Sequence, residues 1–221
     1  MGAPRAVLWD MDGTLIDSEE YHWIAWQKTM AEQGSPITRE QFRSSFGKRN
    51  DTILTNWLGV TATPQLIAKI GDDKEKRYRA LVRKSGISLL PGVEYWIHRL
   101  HEQEWLQAIA SAAPRLNIEV ILDALKLASC FQGIVSAEDV KNGKPNPDVF
   151  LAAGASVGAP PDRCIVVEDA NAGIEGARRA GMRSIGVSHT GTLLDADIVV
   201  ASLDILERDA FESLLRRQPL D

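Results

Sequence analysis

The sequence predicts a doubly wound α/β fold: a parallel, Rossmann-like sheet covered by helices on both faces, with a helical insert behind its first strand. Three observations predict it. Six short apolar runs, most of them rich in β-branched residues, recur at residues 5–9, 106–110, 133–135, 164–167, 184–187 and 198–200. Helical periodicity fills most of the intervals between them. From Asp17 to Gly86, by contrast, helical patterns follow one another with no convincing strand.

The runs are continuous rather than alternating, as expected for strands buried on both faces. The insert holds four helical patterns, at residues 18–33, 38–45, 51–58 and 64–84, the last rich in Lys, Arg and Glu. About seventy residues are too many for one crossover and too regularly patterned for a loop. The expected division is therefore an α/β core domain of residues 1–16 and 87–221 and a helical insert domain of residues 17–86. Within the core, His98 and His101 fall on an amphipathic helix with no third ligand, as surface residues. Residues 116–127 repeat apolar side chains at Ile118, Ile121, Leu122 and Leu125. Residues 147–157 read as a helix with Asn146 as N-cap and Pro147 at its first position. Residues 170–180 read as another, with Asp169 as an alternative N-cap, Arg178 and Arg179 in its last turn and Gly181 as its stop. Residues 207–221 are expected to close the chain as a helix.

Charge narrows the partners. Asp and Glu number 30 against 25 Lys and Arg, a net charge of −5, which leaves no footprint for nucleic acid or an anionic membrane. No apolar run approaches the ~20 residues of a membrane span. Met1 to Arg5 lead straight into the first strand, unlike a signal peptide. Cys130 and Cys164 sit beside apolar runs, which suits buried thiols in a reducing compartment. The expectation is a cytoplasmic monomer acting on a small molecule.

Polar residues gather where the strands end. The first strand runs into Asp10-Met11-Asp12-Gly13-Thr14, the second into Ser111 and the fourth into Glu168-Asp169, while Gly143-Lys144-Pro145 follows the third. In a parallel sheet these ends form one rim, where ligands bind. Asp10 and Asp12, two apart on extended chain, project to one side. With Glu168 and Asp169 they concentrate negative charge that resists ionisation without a cation, and hard oxygen ligands beside a phosphate suit Mg²⁺. Lys144 supplies a compensating charge, Thr14 and Ser111 short hydroxyls, and Gly13 a close backbone approach for an anion. Such a clamp serves phosphoryl transfer, in which a carboxylate such as Asp10 can attack phosphorus. An EF-hand does not fit, because Leu15 and Tyr21 occupy its Gly and Glu positions.

These motifs, in this order and spacing, resemble the phosphatase branch of the haloacid dehalogenase superfamily, with a helical cap after the first motif. The resemblance implies Asp10 as nucleophile and Asp12 as the acid that protonates the leaving alkoxide and then the base that activates water. It implies Ser111 and Lys144 on the phosphoryl group, and Mg²⁺ on Asp10, Asp169 and the backbone carbonyl of Asp12, with Glu168 beside or on the metal. In the cap, Asp17-Ser18-Glu19-Glu20-Tyr21-His22 with Trp26, and Lys74-Glu75-Lys76-Arg77-Tyr78, are similar to the β-phosphoglucomutase-like group. By that likeness His22 and Lys74 face the site and the loop Gly47-Lys48-Arg49-Asn50 touches substrate; Thr14 and Ala112 complete the expected substrate contacts. One departure stands out. After Ser111 the mutase pattern runs Ala-Ser-Lys-Asn, whereas this chain reads Ala112-Ala113-Pro114-Arg115, and the cap loop is one residue shorter. Loss of those polar groups favours hydrolysis of a sugar phosphate over a mutase that turns a bisphosphate around. A dehalogenase would not need Asp12 or the Glu168-Asp169 pair, and a silent binding protein would not need every catalytic position filled.

Overall fold

Each of the six apolar runs forms a strand. The computed structural model, which describes residues 3–189 and 191–216, has β1 (Ala6–Trp9), β2 (Leu106–Ala110), β3 (Gly133–Val135), β4 (Cys164–Glu168), β5 (Arg183–Val187) and β6 (Ile198–Val200). They make one sheet in the order β3-β2-β1-β4-β5-β6, every pair parallel. β1 lies inside it, with Leu8 opposite Ala108 on one side and Val166 on the other. The chain builds outward from β1 to β3 and then crosses back to β4, so the carboxyl end of β1 is the switch point where parallel sheets open a crevice.

The nine helices of the described residues are α1 (Glu19–Glu32), α2 (Arg39–Arg43), α3 (Asn50–Leu58), α4 (Pro64–Ser85), α5 (Val93–Glu102), α6 (Arg115–Leu125), α7 (Asp148–Ser156), α8 (Asn171–Arg179) and α9 (Ala210–Arg216). Strand periodicity sorts the core into two layers. Val7, Trp9, Ile165 and Val167 meet Trp96 and Ile97 of α5, Ile121 of α6 and Phe211 of α9. Ala6, Leu8, Cys164 and Val166 meet Val149 and Phe150 of α7 and Ala177 of α8. Both cysteines are buried free thiols. No helix among the described residues is long and apolar enough to cross a membrane.

Helix ends show where local expectation yields to the site. α7 starts one residue late, with Pro147 as N-cap, because the Asn146 amide turns back to the Gly143 carbonyl at 3.0 Å. α8 is capped by Ala170 and not by Asp169, whose carboxylate is left for the rim. α8 ends at Arg179, and the amide of Gly181 donates to the Arg178 carbonyl. Of the expected closing helix, residues 217–221 lie outside the described residues.

Between β1 and α5 the chain is helical, and α1 to α4 hold their own apolar cluster of Trp26, Met30, Phe42, Ile53, Leu54 and Ile70. Thr38 and Gln41 close a capping box on α2, and Thr63 caps α4 ahead of Pro64. α4 is 22 residues long, and its buried stripe is Ile70, Lys74, Tyr78 and Val82, spaced by four. Its first half packs in the insert, while Tyr78 and Val82 belong to the main core with Leu15 and Ile16.

A buried glutamine braces the sheet. Gln107 on β2 accepts from the Trp9 indole at 3.0 Å and donates to the Ile97 carbonyl at 3.0 Å. Replacing Gln107 by Leu should lower the unfolding free energy by about 2–3 kcal/mol, since the indole N–H is left unpaired; urea denaturation measures this, and an unchanged midpoint would contradict it.

Candidate active site

β1 delivers Asp10 to the rim, its amide held by the Val167 carbonyl of β4 at 3.0 Å. The chain then folds on itself: the amides of Thr14, Leu15 and Ile16 all point to the Met11 carbonyl, and the Gly13 amide donates to Ile16. This loop gives the two aspartates different surroundings. Asp10 meets the Lys144 ammonium at 2.5 Å, and the same ammonium reaches Glu168 at 3.2 Å. Asp12 accepts from the Ser18 hydroxyl at 2.5 Å and lies 3.2 Å from Nε2 of His22.

Asp10, Glu168 and Asp169 offer oxygens that all lie within 4.8 Å of one another. Two glycines make room for this crowding: a Cβ on Gly13, whose φ is +88°, would overlap the Asp169 carboxylate, and one on Gly173 would overlap Glu168. Three carboxylates share one ammonium here. Burial and the mutual repulsion of the acids outweigh Lys144 at each: Asp10 is raised, Glu168 is raised well above its ordinary range, and Asp169 is pushed up to about 7. Burial alone would discharge Lys144, but Asp10 and Glu168 hold it charged. Few hard oxygens, one rim and an excess of negative charge fit Mg²⁺. The carboxylate of Asp12 is not in this group; the resemblance expects Asp12 on the metal through its backbone carbonyl. Burial would raise Asp12 too, but His22, Ser18 and Lys74 together hold it below its ordinary value.

The pocket over this rim is lined from both sides. Asp10, Asp12, Ser111, Ala112, Glu168 and Asp169 form its floor; His22, Gly47, Lys48 and Lys74, with Trp26, Phe42 and Phe46, form its roof. The hydroxyl of Ser111 accepts from the Ala113 amide at 3.0 Å. His22 stacks on Tyr78 at 4.0 Å, and the Lys74 ammonium lies 2.7 Å from its Nδ1. His98 and His101 stay on α5, outside this pocket.

Two residues expected to contact substrate do not line this pocket. Thr14 is wholly buried, off the pocket wall, with its hydroxyl unpaired. Arg49 also stands outside the lining: its guanidinium donates to the Val140 carbonyl at 2.9 Å and to Asp51 at 3.1 Å, bridging the insert to the core. The sequence reading missed Ser18 and Glu75 as polar partners of the site. The signal for Glu75 was its place beside Lys74 on the buried stripe of α4.

Comparison with known proteins gives the family of the chain. The family model of haloacid dehalogenase-like hydrolases matches residues 7–187. The chain is 32% identical to β-phosphoglucomutase of Bacillus subtilis (strain 168) over 202 residues, covering 89% of this chain and 88% of that protein. It is 31% identical to hexitol phosphatase B of Escherichia coli (strain K12) over 214 residues, covering 93% and 94%. The crystal structure of β-phosphoglucomutase from Clostridium difficile superposes with a TM-score of 0.87 at 27% identity, covering 96% of this chain and 97% of that one. The chain belongs to the haloacid dehalogenase-like hydrolases, with relatives named as sugar phosphomutases and polyol phosphatases.

Proposed function

We propose that the protein is a Mg²⁺-dependent phosphatase of a small phosphorylated metabolite, a sugar phosphate by class, working through an aspartyl phosphate on Asp10. The observation that carries this reading is the pairing of a nucleophile-ready carboxylate, Asp10 against Lys144, with a second carboxylate, Asp12, held apart on different partners. In this reading residues 17–86 are a cap that roofs the rim.

Asp10, Glu168 and Asp169 would hold the metal. When bound, Mg²⁺ supplies charge neutralisation for the carboxylates and the phosphoryl oxygens. Lys144 and Ser111 grip the transferring group. A carboxylate oxygen of Asp10 attacks phosphorus as the bond to the leaving oxygen breaks, and Asp12 gives that oxygen its proton. The arriving phosphoryl charge raises Asp12 toward protonation, opposing the pull of His22 and Lys74. Asp12, now anionic, takes a proton from water as its oxygen attacks phosphorus, freeing phosphate and Asp10.

Hydrolysis is favoured over phosphoryl return by what surrounds the far end of the pocket. Ala112, Ala113 and Pro114 are apolar lining. Arg115 is tied to the Ile134 carbonyl and to Asp139, and the Arg49 guanidinium is engaged by the Val140 carbonyl and Asp51. The mutase-named relative keeps the alternative of a β-phosphoglucomutase-type reaction in view. Incubation with β-glucose 1-phosphate, Mg²⁺ and glucose 1,6-bisphosphate should release inorganic phosphate; accumulation of glucose 6-phosphate would overturn hydrolysis in favour of the mutase.

Asp10→Asn should abolish turnover with the fold kept, and residual activity would remove Asp10 as nucleophile. Asp12→Asn should lower kcat/KM about 100-fold on phenyl phosphate but far less on 4-nitrophenyl phosphate, whose leaving group departs without a proton. Equal losses would remove Asp12 as acid.

Metal binding should be linked to pH through Asp169. Its folded-state value, about 7, lies above its ordinary 3.8, so between these the folded state holds more protons and stability falls as pH rises. In EDTA the melting temperature should therefore drop from pH 5 to pH 8, and Mg²⁺ should raise it more at pH 8 than at pH 5. An equal rise at both would contradict a metal on this cluster.

A further inference from the structure

Glu75 is a carboxylate only 4% exposed on the buried side of α4. Its Oε1 accepts from the Lys74 ammonium at 2.8 Å and from the Asn50 amide at 2.7 Å, both within the insert. Its Oε2 accepts from the Asn117 amide at 2.5 Å, and Asn117 lies on α6, in the core. Asn117 is itself wholly buried and takes the Arg79 guanidinium on its Oδ1 at 2.8 Å. Burial would raise Glu75, but Lys74, His22 and Asn117 hold it below its ordinary value.

The line continues to the reacting end. A lysine ammonium has only hydrogens to offer, so Nδ1 of His22 accepts from Lys74 and Nε2 carries the hydrogen directed at Asp12. Asn117, Glu75, Lys74, His22 and Asp12 thus form one chain of contacts that leaves the core at α6, crosses the insert and returns to the core beside Asp10. The Asn117–Glu75 bond is the step that exists only while the insert is seated on α6.

We propose that Glu75 and Asn117 are positioning residues: their cross-link seats Lys74 and His22 so that Asp12 is aimed for proton transfer when the insert is docked. This rests on the reading of Asp12 as the group that protonates the leaving oxygen. Lys74 lies on an apolar stripe, where its ammonium is held by Glu75 and by Nδ1 of His22, and the hydrogen bond that fixes Glu75 from the core side comes from Asn117.

The test uses two variants whose hydrogen bonds differ in a defined way. Asn117→Asp sets two carboxylates against each other. Adding Glu75→Gln restores the contact with donor and acceptor exchanged, because the new amide donates to the carboxylate introduced on α6 while its carbonyl still accepts from Lys74 and Asn50. With Mg²⁺ present, kcat/KM is measured on phenyl phosphate and 4-nitrophenyl phosphate, beside Asp12→Asn. Asn117→Asp should lose about tenfold more on phenyl than on 4-nitrophenyl phosphate, and the double variant should regain most of that ratio. If Asp12→Asn changes the ratio while Asn117→Asp does not, or the double variant fails to regain it, the cross-link is only adhesive and the proposal falls alone. If Asp12→Asn leaves the ratio unchanged, the reading of Asp12 falls and takes the proposal with it. Should Asn117→Asp not fold, Asn117→Ala removes the donor without adding charge, and an unchanged ratio in it overturns the proposal.

Discussion

Three carboxylates crowded onto one ammonium are the constraint around which the rim is built. Asp10, Glu168 and Asp169 arrive from the ends of β1 and β4, two strands that are neighbours in the sheet. Their repulsion is tolerated because Lys144 is brought between Asp10 and Glu168 from the loop after β3, and because Gly13 and Gly173 clear the volume the carboxylates occupy. The excess charge that remains defines what the site can accept: protons at low pH, or a divalent cation, each of which relieves the same repulsion.

The second feature is the contrast between neighbours. Asp10 and Asp12 are separated by one residue, yet burial raises Asp10 while His22, Ser18 and Lys74 hold Asp12 down. The Met11 loop causes this by turning the second carboxylate away from the metal group and toward α1. Carboxylates whose surroundings push them in opposite directions take different parts in a reaction. In the proposed reaction the one beside a cation would attack and the one beside an imidazole would exchange a proton.

Much of this was legible along the chain for a physical reason. Strands buried on both faces need continuous apolar runs, and the residues that end them must share one rim, so Asp10, Ser111, Lys144, Glu168 and Asp169 could be gathered without coordinates. What escaped was set by long-range contact. Asn117 stands 42 residues from Glu75 and lies among the buried positions Ile118, Ile121 and Leu122, where a polar side chain announces no partner. Arg49 is in a loop, where no periodicity fixes direction; its guanidinium is held by the Val140 carbonyl, beside a small cavity it lines with Ser111 and Lys144. Thr14 was drawn under by the same amide turn that frees Asp12.

α4 ties the two halves together, and its pattern explains why. Helical spacing of four puts Ile70, Lys74, Tyr78 and Val82 on one stripe. Ile70 packs in the insert, and Tyr78 and Val82 pack in the core. Lys74 therefore sits at the crossing point, where the helix passes from one apolar cluster to the other directly above the rim. The ammonium at that position is met by the Glu75 carboxylate beside it and by Nδ1 of His22, over Asp12. Both partners of this ammonium lie in the insert, so lifting the roof breaks instead the contacts that cross to the core, Glu75 with Asn117 and His22 with Asp12. In the proposed reading, seating of the insert and alignment of Asp12 are consequently one event rather than two, because His22, which meets the Lys74 ammonium on one side, is also the residue that reaches Asp12.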